Sequence, residues 1–233
     1  MIDRVPENEI RHRDVLIPSI SSGARLQGTL RVPLAPLGWV LFAHGSGSSR
    51  LSPRNIEVAR ALNQAHMATL LFDLLTEEES QDRSNVFDLP LLSERLILAT
   101  KWLKDQQEYN GAPLAYFGAS TGAGAALMAA AKLGPGIRAV ISRGGRVDMA
   151  RNEASGVTAG VLLIVGGWDE PVLTWNREML EVLPRAKLKV IPRATHLFEE
   201  PHALPLVIET ATRFLREQFM GPRPAPRDLP PPL

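Results

Sequence analysis

The sequence predicts an α/β fold, an open and mostly parallel sheet with helices on both faces. Short apolar runs alternate with longer amphipathic segments along the chain. Most runs are continuous, as in VLFAH, TLLFD and VLLIVG, rather than alternating, which suits parallel strands buried on both faces. Strand–helix repetition with right-handed crossovers then stacks such strands into one covered sheet. The residues suited to chemistry fall where the runs end, and in open α/β sheets ligands collect beyond the carboxyl ends of the strands.

Taken in order, strands are expected at 15–18, 25–32, 39–43, 69–74, 114–117, 139–142, 161–165 and 188–191. The first two, separated by SSGA, form an antiparallel hairpin that starts the sheet. Ser52-Pro53 opens the first helix as N-cap and first-turn proline, with Ile56, Ala59, Leu62 and Ala65 on one face. Leu92, Leu96, Ala99 and Leu103 mark a second helix, and Thr121–Leu133 a third, ended by Gly134-Pro135-Gly136. Pro171 opens a fourth, carrying Val172, Trp175, Met179 and Leu183. Leu204, Val207, Ile208, Ala211 and Leu215 give the last its helical period. The stretch 77–88, EEESQDRSNVFD, reads as a solvated acidic loop.

A chain of 233 residues is long enough for one domain with a real core, placed at 13–220. Residues 1–12 read as a polar extension. Residues 221–233, with six of the 19 prolines, read as a disordered tail. A net charge of +1 lacks the basic footprint of a nucleic-acid binder. The absence of cysteine excludes disulfides, thiolate metal sites and a cysteine nucleophile. No run approaches the ~20 apolar residues of a membrane span, and no signal peptide is visible, so a soluble cytoplasmic protein is expected. Neither a metal-binding HExxH nor a three-ligand cluster is visible, so neither metal nor cofactor is expected.

Gly118-Ala119-Ser120-Thr121-Gly122 stands between the strand LAYF and the small-residue helix AGAALMAAA. A GxSxG turn from strand to helix lifts a serine hydroxyl above the sheet at a helix N-terminus, where developing negative charge is stabilised. Ser120 is therefore the candidate nucleophile. His44-Gly45-Ser46-Gly47-Ser48-Ser49 follows the strand WVLFA, where a flexible loop can aim a backbone amide at an acyl oxygen. The amides of Ser46 and Thr121 are the expected oxyanion donors, with a neighbouring amide as the alternative to Ser46. No GxxxxGK[ST] is present, which disfavours a phosphate loop.

Among five histidines, His196 in ATHLFEEP follows the last strand and precedes the last helix, from where a loop can bend over Ser120. His12 lies near the N-terminus, His66 ends a helix, His202 opens the last helix, and His44 orders its own loop. The imidazole needs a carboxylate on its other nitrogen. Asp169 follows the strand VLLIVGG and precedes Pro171, in the Ser…Asp…His chain order of this elbow architecture. Asp73, Asp148 and Glu170 are the rivals.

With HGSGS, GASTG, GGWDEP and ATHLFEEP in order, the chain resembles the dienelactone-hydrolase-like group of α/β-hydrolases over residues 13–219. The resemblance implies an eight-stranded, mostly parallel sheet and hydrolysis of small esters or lactones through an acyl-enzyme. It implies Ser120 as nucleophile, His196 as base, Asp169 as orienting acid, and Ser46 and Thr121 as oxyanion amides. The chain departs from the group in one respect: dienelactone hydrolases proper use cysteine where serine stands here. Similar domains also occur fused to phosphoribosyltransferase domains, but no phosphate-binding loop of that type is visible in this sequence.

Two further expectations concern substrate. Arg143 and Arg146, in SRGGR at the catalytic edge, either attract an anionic acyl group or pair with the acidic loop. Only about 15 residues, 146–160, separate the sixth strand from the acid-bearing one, too few for a multi-helix cap. Acyl transfer or perhydrolysis by the same residues, and a non-catalytic ligand receptor on this fold, are the alternatives to hydrolysis. The expected partner is a small-molecule ester or lactone. The sequence leaves the oligomeric state open.

Overall fold

The computed structural model describes residues 4–18, 23 and 25–222. The strands are β1 (Ile10–Pro18), β2 (Arg25–Pro33), β3 (Gly38–Ala43), β4 (Met67–Phe72), β5 (Leu114–Ala119), β6 (Ala139–Arg143), β7 (Gly160–Gly166) and β8 (Ala186–Ile191). They form one eight-stranded sheet in the order β1-β2-β4-β3-β5-β6-β7-β8. β1 pairs antiparallel with β2 and β2 with β4, and every other neighbouring pair is parallel. The expected fold class is observed. The hairpin pairs Ile10 with Pro33 through to Pro18 with Arg25, although most of its SSGA turn lies outside the described residues.

Strand β1 begins at Ile10, ahead of the expected residue 15, so His12 lies in the sheet. Val5 is buried and donates its N–H to the Gln64 carbonyl, which ties part of the polar N-terminal stretch to the fold. The proline-rich tail from residue 223 onward lies outside the described residues.

The helices are α1 (Pro53–Gln64), α2 (Glu77–Gln81), α3 (Arg83–Phe87), α4 (Leu89–Lys104), α5 (Thr121–Leu133), α6 (Glu170–Met179) and α7 (Ala203–Met220). Period-two alternation sends neighbouring strand residues to opposite layers. Val40, Phe42, Phe117 and Ile141 pack with Val58 and Leu62 of α1 and Val207 and Leu215 of α7. Trp39, Leu41, Tyr116 and Val140 pack on the other face with Leu96 of α4 and Leu127 of α5. Ser52 caps α1 by accepting the Asn55 N–H at 3.4 Å, and Pro53 takes the first turn, as the sequence predicts.

The acidic stretch after β4 differs from the loop expected. It folds into α2 and α3, each only five residues long, and Thr76 and Glu79 close a capping box at the start of α2. Between β6 and β7 the chain forms a 3-10 run, Val147–Gly156, whose Val147, Ala150 and Ala154 pack into the core against α5. The segment packs inward by that side alone, and its Arg151, Asn152, Ser155 and Gly156 are exposed. Among the described residues no helix is long and apolar enough to cross a membrane.

Candidate active site

Ser120 stands between β5 and α5 with φ +50° and ψ −122°, a backbone conformation that costs a non-glycine residue on the order of 1–3 kcal/mol. The flanking glycines make the turn possible through close approach. A Cβ on Gly118 would lie 2.4 Å from the Ala123 Cα, and one on Gly122 would lie 2.2 Å from the Ala43 carbonyl oxygen. Backbone bonds hold the strained residue on both sides. Ser120 donates its N–H to the Arg143 carbonyl at 3.2 Å, and its own carbonyl accepts the Arg146 N–H at 3.0 Å.

The loop after β3 packs against this turn, where a Cβ on Gly45 would come within 2.9 Å of the Ser120 Cβ. His44 fixes that loop from within. Its Nε2 accepts the Leu74 N–H at 3.0 Å, so its proton is on Nδ1, which donates to the Gly45 carbonyl at 3.0 Å. Burial pushes the His44 imidazole below its ordinary value of 6.5, against the smaller opposing effects of the Gly45 hydrogen bond and the Asp73 charge. The Ser46 N–H does not stand free, as it donates to Thr121 Oγ1 at 3.0 Å. The Thr121 N–H, at the first position of α5, has no acceptor within the helix.

His196 and Asp169 are brought together by two loops bound to each other through the backbone. Gly167 donates its N–H to the Ile191 carbonyl at 2.8 Å, and Trp168 to the Ala194 carbonyl at 3.0 Å. A Cβ on Gly166 would lie 2.3 Å from the Ala194 oxygen, so the acid loop and the histidine loop touch. His196 Nδ1 lies 2.7 Å from Asp169 Oδ2. A carboxylate only accepts, so a proton is on Nδ1, and in the neutral ring the lone pair is on Nε2. Asp169 is nearly enclosed, with 10% of its side chain exposed, whereas His196 is 38% exposed and lines one pocket with Ser120, Thr121 and Ser46. Two rival acids serve other partners: Asp73, although it lines the pocket, takes the backbone N–H and guanidinium of Arg50, and Asp148 takes the Arg146 guanidinium. His202 is bonded to the Pro192 carbonyl.

The two arginines part company. Arg146 is held by Asp148, stacks over Trp175 at 4.3 Å and does not line the pocket. Its partner is Asp148 and not the acidic stretch 77–88. Arg143 does line the pocket. It is 8% exposed, lies over the Phe117 ring at 5.9 Å, and its buried Nη1 has no hydrogen-bond partner among the described residues. Burial, with the nearby Arg54 charge, pushes its pKa down to about 10, so it remains charged at neutral pH. Sequence reasoning missed Arg54, which also lines the pocket and pairs with Glu199 at 3.1 Å. Nothing in a helix-borne arginine reveals which wall it lines.

No protein-family model matches the chain. A dienelactone hydrolase from Anabaena variabilis is 48% identical, with a TM-score of 0.84 over 91% of this chain and 98% of that one. Est1E from Butyrivibrio proteoclasticus (18% identical, TM-score 0.76, 89% of this chain and 99% of that one) shares the fold. So does the dienelactone hydrolase-like promiscuous phosphotriesterase P91 from metagenomic libraries (18% identical, TM-score 0.73, 90% of this chain and 99% of that one). Two Mycobacterium tuberculosis proteins carrying the name "Putative phosphoribosyl transferase" are each 48% identical over 225 residues, 96% of this chain and 50% of theirs. The chain thus spans about half the length of the curated relatives it matches.

Proposed function

Because the chain belongs to the dienelactone-hydrolase-like group of α/β-hydrolases, we propose that it is a serine hydrolase of small carboxylic esters or lactones. The observation that carries this reading is the 2.7 Å contact of Asp169 with His196, which lines the pocket that Ser120 enters from its strained turn. In the proposed reaction the Ser120 oxygen adds to the substrate carbonyl while its proton passes to His196 Nε2. The carbonyl electron pair moves onto oxygen. The bond to the leaving oxygen then breaks, and His196 returns the proton to it. Water repeats the sequence on the acyl-enzyme and restores Ser120. Asp169 keeps the imidazole in the working tautomer and stabilises its charged form.

The buried, unpaired Arg143 gives esters with an anionic group a place to dock beside the reacting carbon. No step calls for a metal or a cofactor.

An ester and lactone panel with Ser120→Ala as control, combined with fluorophosphonate labelling, tests the reading. Turnover and labelling that both depend on Ser120 support it. Turnover by the alanine variant above a tenth of wild type overturns it. The absence of both turnover and labelling would favour the ligand-receptor alternative.

A further inference from the structure

Resting on the reading of Ser120 as nucleophile, we propose that the oxyanion is held by two donors of one residue, the N–H and the side-chain hydroxyl of Thr121. Ser46 then acts only through that hydroxyl. The expected arrangement used the Ser46 amide directly, but that amide points at Thr121 Oγ1, 3.0 Å away. The Thr121 side chain is buried, with 2% of the residue exposed, and it lines the pocket beside Ser120.

A hydroxyl has one proton and two lone pairs. The Ser46 N–H takes one lone pair, and among the described residues Thr121 Oγ1 has no acceptor for its own proton. Thr121 lines the pocket beside Ser120, where the substrate oxygen is the proposed acceptor of that proton. Donation from Ser46 polarises the hydroxyl and strengthens what it gives in turn. The Thr121 N–H, unmatched at the first position of α5, faces the same helix N-terminus.

During attack, the Ser120 oxygen forms the new bond to carbon and its proton goes to His196. The electron pair released onto the carbonyl oxygen is met by both Thr121 donors, and both protons stay on Thr121. Only Thr or Ser at 121 completes this pair. The side chain of Ser46 has no part in it, because only its amide is used.

The test is steady-state hydrolysis of p-nitrophenyl acetate by wild type, Thr121→Val and Thr121→Ser, with inhibition by an alkyl trifluoromethyl ketone, which forms a tetrahedral oxyanion on a serine. Valine keeps the shape and removes the hydroxyl. It is expected to lower kcat about 100-fold with KM within about threefold, the loss typical of one oxyanion donor. The ketone should weaken by a similar factor, and Thr121→Ser should restore kcat to within about fivefold of wild type. A kcat for Thr121→Val within threefold of wild type overturns the proposal, as does a serine variant as poor as valine, which would assign the effect to packing. If the valine variant does not fold, Thr121→Ser against Thr121→Ala gives the same comparison. A wild type that neither turns over nor labels with fluorophosphonate defeats the parent reading and this one together. A labelled, active wild type with an unimpaired valine variant defeats this one alone.

Discussion

Asp169 reaches only one side of the His196 ring: its Oδ2 lies 2.7 Å from Nδ1, and Nε2 is left to the pocket that Ser120 lines. Each partner then has a distinct mutational signature. Ser120→Ala is expected to lower kcat/KM on the order of 10⁴-fold, His196→Ala by a similar factor, and the double variant by little more, because the pair acts as one unit. Asp169→Asn should be milder and still label slowly with fluorophosphonates. Additive losses in the Ser120/His196 double variant, measured by ester hydrolysis, would show that the two do not act together.

Arg143 sets stability against recognition. A guanidinium that is 8% exposed, with Nη1 unpartnered among the described residues, carries a desolvation cost that no ion pair among them offsets. Arg143→Met keeps the bulk over Phe117 and removes the charge. It is expected to raise stability by about 1–3 kcal/mol and to raise KM about tenfold or more for anionic esters, while neutral esters change little. Thermal melts paired with kinetics on hemisuccinate and acetate esters measure both. A lower melting temperature, or equal losses on the two substrates, would remove Arg143 from substrate reading.

His44 predicts a pH window for stability. Its folded pKa lies below the ordinary 6.5 because burial disfavours the charged ring. Below pH 6.5 the unfolded chain therefore binds this proton more readily than the folded one. The contribution of His44 is intact above that value and declines as pH falls toward the depressed folded value. Thermal melts at pH 7.5 and 5 should show a drop that is smaller in His44→Gln, whose amide oxygen can still accept from Leu74. Equal drops in both proteins would place the effect elsewhere.

Acyl length follows from what borders the pocket. The 3-10 run Val147–Gly156 is packed against α5 and offers no lid, and the pocket wall mixes Arg54, Asp73, Glu77 and Arg143 with a few leucines. A chain gains about 0.8 kcal/mol per buried CH₂ only where an apolar wall receives it. The highest kcat/KM is expected on esters of about C2 to C6, without interfacial activation. A p-nitrophenyl series from acetate to palmitate measures this. An optimum at C12 or beyond would point to an acyl channel along Val86 and Leu92, which do line the pocket.

The strands were legible because burial on both faces makes their runs apolar throughout, as in β7, where every residue is buried. The helices at 53, 121 and 203 announced themselves by a cap, an elbow or a long period. Helices α2 and α3 did not, since five residues show no period. Their signal was local, a threonine three residues before a glutamate, inside a stretch whose charge suggested solvent. At the site, glycine spacing exposed the turn at Ser120 and chain order singled out Asp169 and His196. The engagement of the Ser46 amide and the divergence of Arg143 from Arg146 depend on side-chain direction in three dimensions. Two arginines three residues apart after a strand look equivalent in sequence, yet one enters the pocket wall and the other meets Asp148.

The turn from 143 to 146 grips Ser120 through main-chain atoms alone, the Arg143 carbonyl on one side and the Arg146 amide on the other. Any residue can present the carbonyl at 143 and any but proline the amide at 146, so such substitutions leave the grip in place. A change in the number of residues between them cannot, because carbonyl and amide would no longer straddle the strained serine. Diversity in this turn should therefore come by replacement and never by insertion or deletion. A library that varies residue 143 at fixed length, with Gly144 (φ +55°) and Gly145 (where a Cβ would lie 2.0 Å from Ser142 Oγ) kept, can search new acyl specificities without disturbing the alignment of the hydroxyl beside them.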